Sequence, residues 1–122
     1  MTYCVGLKLK RGLVMAADTR TNAGLDNIST FRKLQTFEVA GERVFIMMSA
    51  GNLAVTQAVV AILEEEFEHP DEGDENSSLR TVPTRFEAAK HVGETLKAVR
   101  QGHVDQGLSS DAFSASFIFG GQ

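Results

Sequence analysis

The hydrophobic period of this chain switches from two to about 3.6 and back, and those switches fix its class. Tyr3, Val5, Leu7 and Leu9 alternate with Thr2, Cys4, Gly6 and Lys8, which predicts a strand with two different faces. Lys10-Arg11-Gly12 reads as a tight turn, and Leu13 to Asp18 as the return strand of a hairpin. Residues 19–30 are polar and read as an excursion. Leu34 to Val39 and Arg43 to Ser49 form a second predicted hairpin around Ala40-Gly41-Glu42. Its return strand is apolar at every position from Val44 to Met48, so cover is expected on both faces.

From Asn52 the spacing becomes helical. Leu53, Val59, Val60, Leu63 and Phe67 make one stripe, widened by Val55, Ala58 and Ile62. Glu64 to Glu66 oppose the macrodipole at the end of this helix, where fraying is expected. Pro83, Thr84 and Glu87 form a capping-box start for a second helix, with Phe86, Ala89, Val92, Gly93, Leu96 and Val99 as its stripe and Gly102 as its C-cap. Phe113, Ala115, Phe117 and Phe119 then alternate with Ser114, Ser116 and Ile118, a fifth strand. The order β-β-β-β-α-α-β, hairpins first, predicts an α+β domain with helices on one face of an antiparallel sheet.

With 122 residues, 43% apolar, the chain has the size and composition of one globular domain. Its longest apolar run is of strand length, so no membrane span is expected, and the first residues do not read as a signal peptide. Cys4 stands alone, which excludes a disulfide framework and points to a reducing, cytoplasmic setting. Eight acids fall within the twelve residues Glu64 to Glu75, leaving +4 on the rest of the chain. This block reads as a solvated connector: the Asp71-Glu72-Gly73-Asp74-Glu75 run lacks the alternation of an EF-hand loop. No basic stripe with interleaved aromatics is present, so nucleic acid is not expected as a partner. His69, His91 and His103 show no metal-ligand spacing, and neither a metal nor an organic cofactor is expected.

Three residues carry the candidate chemistry. Removal of Met1 would leave Thr2 with a free α-amine, whose pKa near ~8 suits it to accept a proton from the Thr2 hydroxyl. Thr2 would then be nucleophile and base in one residue. Asp18 ends the strand that pairs with the first, so it belongs at the same end of the sheet as Thr2. Lys33 opens the third strand. A cation held there favours the neutral amine and the ionised hydroxyl, and Asp18 would keep that cation charged and oriented. Cys4 reads as a small, buried hydrophobe.

The ordered set of Thr2, Asp18-Thr19-Arg20-Thr21-Asn22-Ala23-Gly24, Phe31-Arg32-Lys33-Leu34 and Ser49-Ala50-Gly51-Asn52 before a long helix resembles proteasome β-type subunits. Within these it resembles the Anbu peptidases, the bacterial ancestral β-subunit group, including the Met-Thr-Tyr-Cys-Val start. The resemblance implies an N-terminal nucleophile hydrolase fold, a four-layer αββα sandwich, of which residues 1–122 would be the incomplete N-terminal part. It implies Thr2 as nucleophile, Lys33 as activating partner, Asp18 as its salt-bridge mate, and the Gly51 N–H as oxyanion donor. Thr21 and Asn22 match positions that align substrate as an added strand, and Phe31, Met48 and Leu53 match first-pocket positions. The implied activity is threonine-type endopeptidase, with peptide or protein substrates. Alternatives are a non-catalytic assembly subunit and an amidase of the same superfamily. A homo-oligomeric ring or helical particle is implied, with room for an ATPase partner. The excursion between Asp18 and Lys33 is one residue shorter than in many family members. The family's second half supplies further strands and helices and a Ser and an Asp–Ser set near the nucleophile, so these residues alone are not expected to form a stable, active domain.

Overall fold

The computed structural model of the chain describes residues 3–18, 32–70, 77–105 and 114–122. In chain order these form β1 (Cys4–Leu9), β2 (Gly12–Ala17), β3 (Leu34–Val39), β4 (Arg43–Gly51), α1 (Leu53–Glu68), α2 (Arg85–Asp105) and β5 (Ala115–Gly121). The expected element order holds. The sheet is divided, however: β1 and β2 pair antiparallel as one sheet, and β3-β4-β5 form a second, fully antiparallel sheet.

The helices cover one face of the three-stranded sheet. Phe37, Phe45 and Met47 meet Val55, Val59, Val60, Leu63 and Phe67 of α1 and Ala88 and Val92 of α2 in one buried cluster. Phe37 and Phe67 pack edge to face with centroids 5.6 Å apart. The opposite face meets β1–β2. A Cβ on Gly120 would stand 2.7 Å from Met15 Cε and 2.9 Å from Leu13 Cδ1, so a side chain there would make the ends of Met15 and Leu13 move aside. β4 is thereby covered on both sides, as its apolar run requires, and Met47 and Met48 are 0% and 1% exposed.

Three details depart from expectation. The apolar face of β1 is the outer one, with Leu7 51% and Leu9 57% exposed, because the Cys4–Gly6 face is narrow enough to lie against β4 and β5. α1 runs through Glu64–Glu66 without fraying, since Glu66 Oε2 sits 2.6 Å from His91 Nε2 of α2 and the His69 N–H caps Glu65. α2 continues past Gly102 and buries Ala88 and Thr95 beside the expected Val92, leaving Phe86 74% exposed. The Thr84 start holds: its hydroxyl accepts the Glu87 N–H at 3.1 Å. β4 extends two residues beyond Ser49, to Gly51, and β5 is described from Ala115, Phe113 lying outside the described residues.

Candidate active site

Antiparallel pairing of β1 with β2 brings Tyr3 opposite Asp18. The Asp18 N–H donates to the Tyr3 carbonyl at 3.0 Å, and the Tyr3 N–H donates to Asp18 Oδ1 at 2.9 Å. Asp18 is thus clamped, backbone and side chain, to the residue that follows Thr2. Its carboxylate also receives Lys33 Nζ, 2.9 Å from each oxygen. Lys33 is 6% exposed and Asp18 33%, so the pair is half-sheltered, with the ammonium deep and the carboxylate toward water.

Lys33 precedes β3 and is held by its backbone as well, its carbonyl accepting the Ser49 N–H at 2.9 Å. Two strands from different sheets, β2 and β3, therefore deliver one ion pair. Cys4 lies beside them: its thiol donates to the Ser49 carbonyl at 3.9 Å, a long contact suited to sulfur. Burial pushes the Cys4 thiol up, the Asp18 carboxylate adds to this, and the Lys33 ammonium partly opposes it. Cys4 is half-buried rather than the fully buried hydrophobe expected.

Gly51 closes β4. Along this strand the Ser49 N–H reaches Lys33 on the β3 side and the Asn52 N–H reaches the Ser114 carbonyl on the β5 side at 2.9 Å. Alternation then sends the Gly51 N–H toward the β3 side, the side of Lys33. Gly51 is exposed and has φ +110°, a conformation that disfavours side chains, and a Cβ there would lie 2.5 Å from the Ser114 oxygen. Met48 is buried within the sheet, flanked in register by Leu34 and Ile118, and Leu53, half-buried, opens α1. Thr2, Thr21, Asn22 and Phe31 lie outside the described residues.

A cavity of about 310 Å³ lined by Arg43, Pro83, Thr84 and Arg85 sits at the opposite end of β4. Eight strand steps separate Arg43 from Gly51, about 26 Å, so this cavity is no part of the Asp18–Lys33 site. Among the described residues there is no cluster of His, Cys, Asp and Glu able to hold a metal ion. Also among them, no helix is long and apolar enough to cross a membrane. Sequence reasoning missed the bracing around this site, namely the tie from Tyr3 to Asp18 and the role of Asn52 beside Gly51. The Asn before an apolar helical run was the available signal for the latter.

No protein-family model matches the chain, and no curated protein does. Solved structures do. A mutant of Anbu from Hyphomicrobium sp. strain MC1 is 48% identical, with a TM-score of 0.83, over 100% of this chain and 48% of its own. Anbu (ancestral beta-subunit) from Yersinia bercovieri is 39% identical, with a TM-score of 0.83, over 100% and 48% of the two chains. A structure of the helical assembly of the Anbu complex from Pseudomonas aeruginosa gives 40%, 0.80, and the same shares. The chain spans about half the length of the structures it matches. Its two sheets and two helices are accordingly part of a mixed α+β fold of the N-terminal nucleophile hydrolase type.

Proposed function

The chain matches, from end to end, the N-terminal half of Anbu, the ancestral β-subunit of proteasome-like proteins, and on that footing we propose that it carries the nucleophile-bearing part of a threonine peptidase domain. The observation that supports this most is the Asp18–Lys33 ion pair tied to the backbone of Tyr3. A buried cation joined through Asp18 to the residue following Thr2 is what an α-amine and hydroxyl need to share one proton productively.

In this reading, loss of Met1 exposes the Thr2 amine. The amine takes the hydroxyl proton as Oγ bonds to the scissile carbonyl carbon, and the Lys33 ammonium stabilises the developing alkoxide. The Gly51 N–H receives the oxyanion of the tetrahedral intermediate. Collapse breaks the C–N bond, the proton passes to the leaving amine, and water later releases the acyl group by the reverse sequence. Asp18 keeps Lys33 in place and charged. Thr21 and Asn22 would pair with the substrate backbone. Phe31 and Leu53 would line an apolar first pocket, which the fully buried Met48 could shape only by packing behind it. The protein would assemble with copies of itself in the cytosol, as the helical assembly of the Pseudomonas aeruginosa relative suggests for oligomerisation.

Mass spectrometry of the protein as its gene encodes it should find Met1 absent and Thr2 labelled by a peptide epoxyketone. Thr2→Ala should abolish cleavage of a fluorogenic peptide amide, and Lys33→Ala should be nearly as damaging. Residual activity of Thr2→Ala within about tenfold of wild type would overturn the assignment.

A further inference from the structure

Between β4 and α1 stands one residue whose placement bears on the oxyanion donor, in an inference that rests on the peptidase reading above. Asn52 is extended, with φ −61° and ψ 123°. Its side-chain oxygen accepts the Val55 N–H at 3.1 Å, and its carbonyl accepts the Thr56 N–H at 3.0 Å. Its own N–H is fixed on the Ser114 carbonyl at 2.9 Å. Asn52 therefore joins α1, β4 and β5 through three separate groups. On the other side Ala50 is held in register with Ser116. Gly51, with φ +110° and in register with Ala115, ends the strand between these two points, so its N–H has little freedom once Asn52 is locked.

The chemistry at this junction is also one-sided. No acidic side chain occupies the first turn of α1, so the positive end of a 16-residue helix is not neutralised there. A neutral cap such as Asn leaves that potential directed at the end of β4.

We propose that Asn52 is a positioning residue for the oxyanion donor: its neutral carboxamide caps α1, and through that cap aligns the Gly51 N–H with the negative charge that develops on the scissile oxygen. The requirement has two parts, an acceptor at the cap and no charge on it. Ser meets both, Ala is uncharged but supplies no acceptor, and Asp supplies the acceptor with the wrong charge.

The test compares Asn52→Ser, Asn52→Ala and Asn52→Asp in the protein as its gene encodes it. The readouts are turnover of a fluorogenic peptide amide, labelling of Thr2 by a peptide epoxyketone, and thermal midpoint. Loss of an oxyanion donor typically slows kcat 100- to 1,000-fold, and misalignment of one that remains should slow it about tenfold in Asn52→Ala with KM unchanged. Asn52→Ser should keep kcat within about threefold of wild type. Asn52→Asp should match wild type in thermal midpoint yet fall with Asn52→Ala in kcat, a split that a purely structural cap would not produce. If wild type labels at Thr2 but all three variants share its kcat, this inference alone is overturned. If kcat simply follows the thermal midpoint, with Asn52→Asp fully active, it is overturned as well. Wild type that neither labels nor turns over would overturn the peptidase reading and this inference with it. Should Asn52→Ala fail to fold, the contrast between Asn52→Ser and Asn52→Asp still decides.

Discussion

Replacing Asp18 by Asn tests how the site holds its buried cation. Lys33 Nζ lies 2.9 Å from an Asp18 oxygen, with the lysine 6% and the aspartate 33% exposed. At that separation two unit charges attract by about 6 kcal/mol in an effective dielectric of ~20. Desolvation of the ammonium offsets most of this, because buried pairs often roughly break even with apolar replacements. Removing one partner is different. A lone buried charge costs about 3–5 kcal/mol, and the access water has to Asp18 reduces the figure to about 2 kcal/mol. Asn keeps the acceptor for the Tyr3 N–H, so the loss isolates the charge. Lys33→Met removes the cation and keeps most of its stem, and should cost about 1 kcal/mol or less. The double variant Asp18→Asn/Lys33→Met should then be no worse than Lys33→Met, a coupling of about 2 kcal/mol. Urea unfolding of the protein as its gene encodes it reads this as a midpoint drop of about 1 M for Asp18→Asn. A Lys33→Met variant at least as unstable as Asp18→Asn, or additive losses in the double variant, would refute the reasoning.

The remaining predictions concern the surroundings of that pair. Gly51→Ala should lose peptide turnover and lower the thermal midpoint, since its Cβ would meet the Ser114 oxygen at 2.5 Å in a backbone conformation of φ +110°; a fully active, equally stable variant would contradict this. The Cys4 thiol, pushed up chiefly by burial, should be alkylated by iodoacetamide more slowly than an exposed thiol at pH 8. Because its folded pKa is raised, the stability it contributes is fully present below the ordinary thiol pKa and lost as pH rises from there through the raised folded value, which urea midpoints measured across that window will show. Val59→Ala should cost about 2–3 kcal/mol at a site 0% exposed, whereas Phe86→Ser, at 74% exposed, should stay within about 0.5 kcal/mol.

Element type was legible because the signals were local. The alternation from Tyr3 to Leu9, the apolar run from Val44 to Met48 and the helical stripe from Val55 to Phe67 each need only a few neighbours to declare themselves. Which face of a strand points inward was not legible from alternation. In β1 the apolar side chains Leu7 and Leu9 face outward, while Gly6 lies over Ile118, and Gly120 of β5 under Met15 and Leu13, where the two sheets meet. Periodicity records how two faces differ and says nothing of how near a partner can come. The same applies to α2, where the expected stripe holds at Val92, Leu96 and Val99 but misplaces Phe86 and Ala89, with Ala88 and Thr95 buried in their stead.

For the candidate site the division falls elsewhere. Asp18 and Lys33 are fifteen residues apart, and their meeting depends on β2 and β3, strands of separate sheets, coming together at one end. Spacing set Asp18 at the Thr2 end of the sheet and Lys33 at the start of the third strand, with a pairing between them as one of two readings; a resemblance to known chains favoured it. What spacing could not supply is the buried setting, and burial is what makes the pair consequential. A surface Lys–Asp contact is worth little and could drift, whereas Lys33 at 6% exposure must keep its Asp18 counter-charge close. The Tyr3 N–H bonded to that same carboxylate then ties the position of the ion pair to the strand that begins beside Thr2. On the proposed peptidase reading, the geometry between an amine, a hydroxyl and a cation must survive each turnover, and that requirement would fall on Asp18 and Tyr3, joined by two hydrogen bonds where the first strand pair begins, so that Asp18 would matter to turnover through Lys33.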